Sequence, residues 1–131
     1  MRVLAAGSLY FALVFAAGFM LGTLRVLVLV PSLGEGAAVA VELPLMLAIS
    51  WVAAGWIIRR VRLPARPGAR LAMGAFAFAL LIGAEAALSV ALFGRTLPAH
   101  LAHYATWPGA LGLAGQGVFA LIPLLRLWRS R

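Results

Sequence analysis

Apolar residues in this chain neither alternate with polar ones, as in a half-buried strand, nor mark a single helical stripe. They run on in four blocks. The blocks cover residues 3–30, broken by Arg25, then 37–58, 71–93 and 108–125. About 20 consecutive apolar residues make a helix that crosses a bilayer. The pattern therefore predicts an all-α protein, an integral membrane bundle of four transmembrane helices. The links are too short to hold a second unit, so residues 1–131 are expected to form one domain.

The link PSLGEG, residues 31–36, turns the second span back beside the first. Pro31 is expected to end the first helix, and Ser32 and Glu35 have the spacing of a capping box for the second. The longer link GRTLPAHLAHYATW, residues 94–107, predicts a short interfacial helix begun by Thr96 or Leu97, with Pro98 in its first turn. Leu97, Leu101 and Tyr104 would share one face, with His100 and His103 on a neighbouring one.

Composition supports lipid as the solvent. The chain is 65% hydrophobic and 11% charged, with a mean hydropathy of +1.07, whereas soluble domains carry roughly 25% charged residues. The formal charge of +8 comes from eleven arginines against three glutamates. Nine arginines lie at Arg2, at Arg59, Arg60, Arg62, Arg66 and Arg70, or at Arg126, Arg129 and Arg131. In a four-span chain those three places share one side, which the positive-inside rule makes the cytoplasm, with both termini. The loop RRVRLPARPGAR is expected to meet anionic lipid headgroups, and nucleic acid is not an expected partner. The start, MRVLAAGSLYFALVFAAG, has features of a signal peptide. The apolar run continues through FMLGTLRVLVLV, so the first span is expected to be retained.

Cys, Asp and Lys are absent, which excludes disulfides, thiolate metal sites, lysine Schiff bases and Asp-dependent triads. Neither catalysis nor a cofactor is expected. His100 and His103, with Glu35 on the same side, are the weak metal candidates, although a structural zinc site usually needs four ligands.

Helices in lipid pack through small residues. Gly18 and Gly22 lie at GxxxG spacing on nearly the same face as Arg25, while Gly109 and Gly112 share a face with Gln116 and Ala120. Leu113, Val118 and Leu121 would then face lipid. Span three has two faces that suit contact: Ala75, Ala79, Gly83 and Ala87 on one, and Gly74, Phe78, Ile82, Glu85 and Ser89 on the other. Met20, Met46 and Met73 read as packing residues.

A charge within a span is costly and normally faces protein or water, with a partner. Arg25 and Glu42 lie about eight positions either side of the first turn, at equal depth in antiparallel helices rising about 1.5 Å per residue. Glu42 is the expected counter-ion of Arg25. Pro44 deprives the carbonyl of Ala40 of its usual donor, and Arg25 is one group able to serve it. The same counting brings Glu85 and Gln116 to this level. One carboxylate is then in surplus: Glu85 is either held protonated or binds a cation or a ligand's donor group.

The run GTLRVLVLVPSLGEGAAVAVELPLMLAISW, with Gly22, Arg25, Pro31, Gly34, Glu42, Pro44 and Met46, resembles uncharacterised small four-span bacterial inner-membrane proteins. The likeness extends loosely through span three around Glu85. It implies a fold and a location, and no activity. The expected function is a non-enzymatic accessory or scaffold module whose Arg/Glu core sets its packing, acting as a homo-oligomer or beside another membrane protein. The alternative is a small dimeric transporter or channel for protons, cations or a small polar ligand, using Glu42 and Glu85.

Overall fold

The computed structural model describes residues 2–92 and 94–129. The expected end of span three at Phe93 and the basic residue Arg131 lie outside them. Helix α1 is Arg2–Leu33, α2 Glu35–Val61, α3 Pro67–Ala91, α4 Leu97–His103 and α5 Trp107–Arg129. Four of these five helices, α1, α2, α3 and α5, are long and apolar enough to cross a membrane. They extend beyond the apolar blocks because arginines at one end continue α2 and α5 by a turn. Cations there suit the helix C-termini.

The long helices pack in a ring, α1 against α2, α2 against α5, α5 against α3 and α3 back against α1. The core collects in the half nearest the arginines: Ala6, Tyr10 and Val14 from α1, Ala54 and Ile57 from α2, Met73 and Ala77 from α3, and Phe119 and Ile122 from α5. Beyond Val14, no residue of α1 is buried. Met20 is 73% exposed, so of the three methionines expected to pack, Met73 is fully buried, Met46 packs on the core and Met20 points outward.

A polar contact crosses this core. Pro123 lies inside α5 and has no N–H to give to the carbonyl four residues earlier, that of Phe119. Tyr10 of α1 donates its hydroxyl to that carbonyl at 2.7 Å, and its ring stacks on Phe119 with centroids 4.3 Å apart. Ser50 of α2, also buried, donates to the Met46 carbonyl at 2.8 Å.

The first turn departs from expectation. Helix α1 does not stop at Pro31: a five-residue π segment, Arg25–Leu29, precedes a last turn, Val30–Leu33. The proline falls where π bonding gives way to α bonding, so its missing N–H interrupts little. Ser32 therefore lies inside the helix and donates to the Val28 carbonyl at 3.1 Å; no capping box forms. Gly34 alone makes the turn, at φ +85°, a region open mainly to glycine. Thr96 does cap α4, accepting from the Ala99 N–H at 3.2 Å.

Removing the donor of Phe119's carbonyl tests the cross-bundle contact. Tyr10→Phe is expected to destabilise the protein by about 1–3 kcal/mol, the cost of leaving a buried acceptor unpaired, read as thermal unfolding in detergent. In a Pro123→Ala background, where residue 123 regains its N–H, the same change is expected to cost less. Equal costs in both backgrounds would show that the hydroxyl is not serving the carbonyl that the proline frees.

Candidate functional site

Away from the apolar core, at the end of the bundle near α4, polar side chains from all four long helices gather. Arg25 opens the π segment of α1, and its Nη1 stands 2.9 Å from Oε2 of Glu42, two residues before Pro44 in α2. The contact is an ion pair without hydrogen-bond alignment, since Oε2 has no hydrogen-bond partner. The Glu42 side chain is 12% exposed and that of Arg25 31%, so the carboxylate is enclosed while the guanidinium reaches the surface. Arg25 takes Glu42 and not the freed carbonyl of Ala40.

On the opposite seam Gln116 of α5 donates Nε2 to Oε1 of Glu85 in α3 at 2.5 Å. The charge of Arg25 reaches Glu85, so the two pairs form one electrostatic cluster. Two more oxygens of this region are buried without a partner: Gln116 Oε1 and Ser89 Oγ, the latter one turn beyond Glu85. Tyr104, after α4, also lies in the field of Glu85. Burial, and then that carboxylate, push its phenol above the ordinary value.

At the surface of the same end His103 Nε2 meets Glu35 Oε1 at 2.5 Å. His100 turns elsewhere, its Nε2 3.3 Å from the Tyr104 hydroxyl. The three weak metal candidates thus divide into two contacts, and no group of three or more metal-ligating side chains converges among the described residues. Nor, among those residues, does a Ser or Thr hydroxyl hydrogen-bond to a histidine or carboxylate side chain.

The glycines at the seams are only partly those read from spacing. Gly18 of α1 faces the end of Met46, and Gly22 faces the Arg25 guanidinium. Gly109 packs on the His103 carbonyl, which fits it to the α4–α5 turn and not to another span. Gly112 has open space where a side chain would be. The closest approaches belong to Gly74, against the Ala120 backbone, and Gly36, against the Trp107 ring; Gly115 also packs against Leu43 and Gly55 against the Arg126 guanidinium. Of the two expected contact faces of α3, the one with Gly74 and Ser89 turns inward; Ala75, Ala79, Gly83 and Ala87 are all exposed.

Two arginines expected only to orient the chain are also internal ties. Arg70 is 6% exposed and donates to the carbonyls of Pro64 and, across the α3–α5 seam, Pro123, each at 3.3 Å. Arg126 of α5 donates to the Trp51 carbonyl of α2 at 3.2 Å and lies over its ring, 4.7 Å from the centroid. No local signal marks these two ties; for the Tyr10–Phe119 contact Pro123 and a polar residue within a span were the available signals, because a helix interior proline leaves the carbonyl four residues earlier for another group to take.

No family model, no curated protein and no solved structure matches the chain. The site's chemistry is accordingly that of its own residues: one guanidinium, two carboxylates, an amide and a hydroxyl, arranged across helix seams.

Breaking the Arg25–Glu42 pair from one side should be worse than removing it. Arg25→Met is expected to destabilise by about 3 kcal/mol, because an enclosed carboxylate loses its counter-charge, and Arg25→Met with Glu42→Met by clearly less. A double variant as unstable as the sum of the singles, measured by thermal unfolding in detergent, would count against the pairing.

Proposed function

We propose that this protein is a non-enzymatic scaffold or accessory module of a bacterial inner membrane, a four-span bundle with both termini in the cytoplasm. One observation carries the reading: the ionisable and amide side chains among the long helices are used to join helices. Arg25 and Glu42 tie α1 to α2, Gln116 and Arg70 tie α5 to α3, and Arg126 ties α5 to α2. Lipid supplies no hydrophobic drive for helix association, so such ties and close backbone approaches set register there. Four apolar helices with large outward residues such as Val52, 69% exposed, and Leu27, 70% exposed, fit a lipid surround.

The outward stripe Ala75, Ala79, Gly83 and Ala87 offers a second copy, or another membrane protein, a face for close approach. The chain has no cysteine, which makes the test direct. In native membranes Gly83→Cys is expected to form a disulfide-linked pair on mild oxidation, and Val52→Cys on another outward face is not. Equal pairing at both positions, or none at position 83, would remove that face from the reading.

A second reading, a small dimeric transporter or channel for protons, cations or a polar ligand, draws on the three buried oxygens without hydrogen-bond partners, Glu42 Oε2, Ser89 Oγ and Gln116 Oε1. All are acceptors, as a cation would require. Liposome flux separates the two. The scaffold reading expects Glu85→Gln to leave ion and proton leak unchanged and Glu85→Ala to lower thermal stability by about 1–3 kcal/mol through the unpaired Gln116. A flux present in the native protein and abolished by Glu85→Gln would establish the transporter instead.

A further inference from the structure

The charge of this protein is divided between its two ends, and among the described residues one end has no acidic side chain. Glu35, Glu42 and Glu85, the three acidic residues of the chain, engage partners at the α4 end. At the other end Arg59 and Arg60 close α2, Arg62 follows, and Arg126 lies within the field of Arg59. Arg2 reaches the same place, donating from Nη1 to the Arg62 carbonyl at 3.3 Å. A positive helix end of this kind satisfies the dipole of α2. The positive-inside rule accounts for the number of guanidiniums at this end, but neither it nor the dipole accounts for their grouping around one depression.

Two further features concern that place. An open depression is lined by Trp56, Arg59, Arg60 and Arg62, with Trp56 50% exposed. Arg62 itself adopts the left-handed conformation, φ 58° and ψ 48°, at the position after a helix where glycine is the usual residue. Among the described residues it is the one non-glycine residue with positive φ. That conformation is strained for a side-chain-bearing residue, and it sets Arg62 in the wall of the depression beside Arg59 and Arg60. Guanidiniums match phosphate oxygens with paired donors, and an exposed indole belongs at headgroup depth.

We propose that the Trp56–Arg59–Arg60–Arg62 depression binds the phosphodiester headgroup of an anionic phospholipid. The inference rests on the membrane reading, since the lipid is taken from the bilayer that surrounds the helices. The guanidiniums hold the phosphate, and the indole lies along the glycerol and upper acyl region. Arg62 accepts backbone strain in exchange for a third guanidinium at the site.

The test uses the full chain. Resistance of the native protein to alkaline carbonate extraction is read first and decides membrane integration independently of lipid class; its failure would overturn the membrane reading itself. Native mass spectrometry then follows retention of phosphatidylglycerol against phosphatidylcholine with the same acyl chains. The expected result is a retained phosphatidylglycerol and no retained phosphatidylcholine, weakening with added salt. Each arginine removed, in Arg62→Gly or in Arg59→Gln with Arg60→Gln, is expected to lower retention about fivefold. Arg62→Gly is also expected to keep or raise the unfolding temperature, because glycine relieves the left-handed strain, so lost lipid cannot be put down to lost fold. Equal retention of the two lipids, full retention in Arg62→Gly, or displacement of the lipid by millimolar inorganic phosphate would each overturn the proposal. If the double variant fails to insert, the comparison of lipids on the native protein and Arg62→Gly decides alone.

Discussion

A polar group buried among apolar helices is costly unless another group of the protein pairs with it. Tyr10 and Phe119 show what that requirement builds. The proline in α5 removes one hydrogen bond from its own helix, and the vacancy is filled from α1, across the bundle, by a hydroxyl that would itself be costly to bury alone. Arg70 adds a second tie across the bundle one turn further along, at the carbonyl of Pro123 itself. A local defect in one helix thereby becomes a fixed relation between two.

The two halves of the bundle meet the requirement differently. Near the arginines, interlocking side chains such as Ile57, Met73 and Ile122 fill the space, and polar groups are few and paired to backbone. Toward α4, α1 buries nothing and the seams are held by Arg25 with Glu42 and Gln116 with Glu85. Packing alone is weak there, so charge and hydrogen bonding carry more of the register. The π segment that begins at Arg25 lies in this half, where fewer neighbours constrain the backbone. Close approach of backbones completes the arrangement, with Gly74 against Ala120 admitting no side chain at all.

The distribution of charge follows from the same physics. All three carboxylates face partners at one end, and of the described guanidiniums at the other, Arg70 and Arg126 turn inward to carbonyls while Arg59, Arg60 and Arg62 line an open depression. An arginine serves both purposes because its stem lies along apolar surface while its head reaches several acceptors.

Helix number and class, a tight turn between the first two spans and the cap at Thr96 follow from local sequence alone, since run length and the chemistry of a single turn depend on nothing distant; that the turn is Gly34 alone, and not residues 31–36, does not. The approach of Arg25 to Glu42 was legible for a related reason: equal counting from one tight turn places two residues at one depth. Which glycines pack was not legible, because Gly112 and Gly115 lie three residues apart on one apolar helix and what separates them is whether Leu43 of α2 comes against them. Ser32 has capping spacing yet lies within a helix, since whether α1 continues past Pro31 depends on π bonding that no local pattern marks. Arg70 and Arg126 read as topology signals until the fold brings α5 and its proline beside α3 and the Trp51 carbonyl beside α5. Side-chain partners across a seam are set by the rotation of each helix about its axis, and that rotation is decided only when all four pack together.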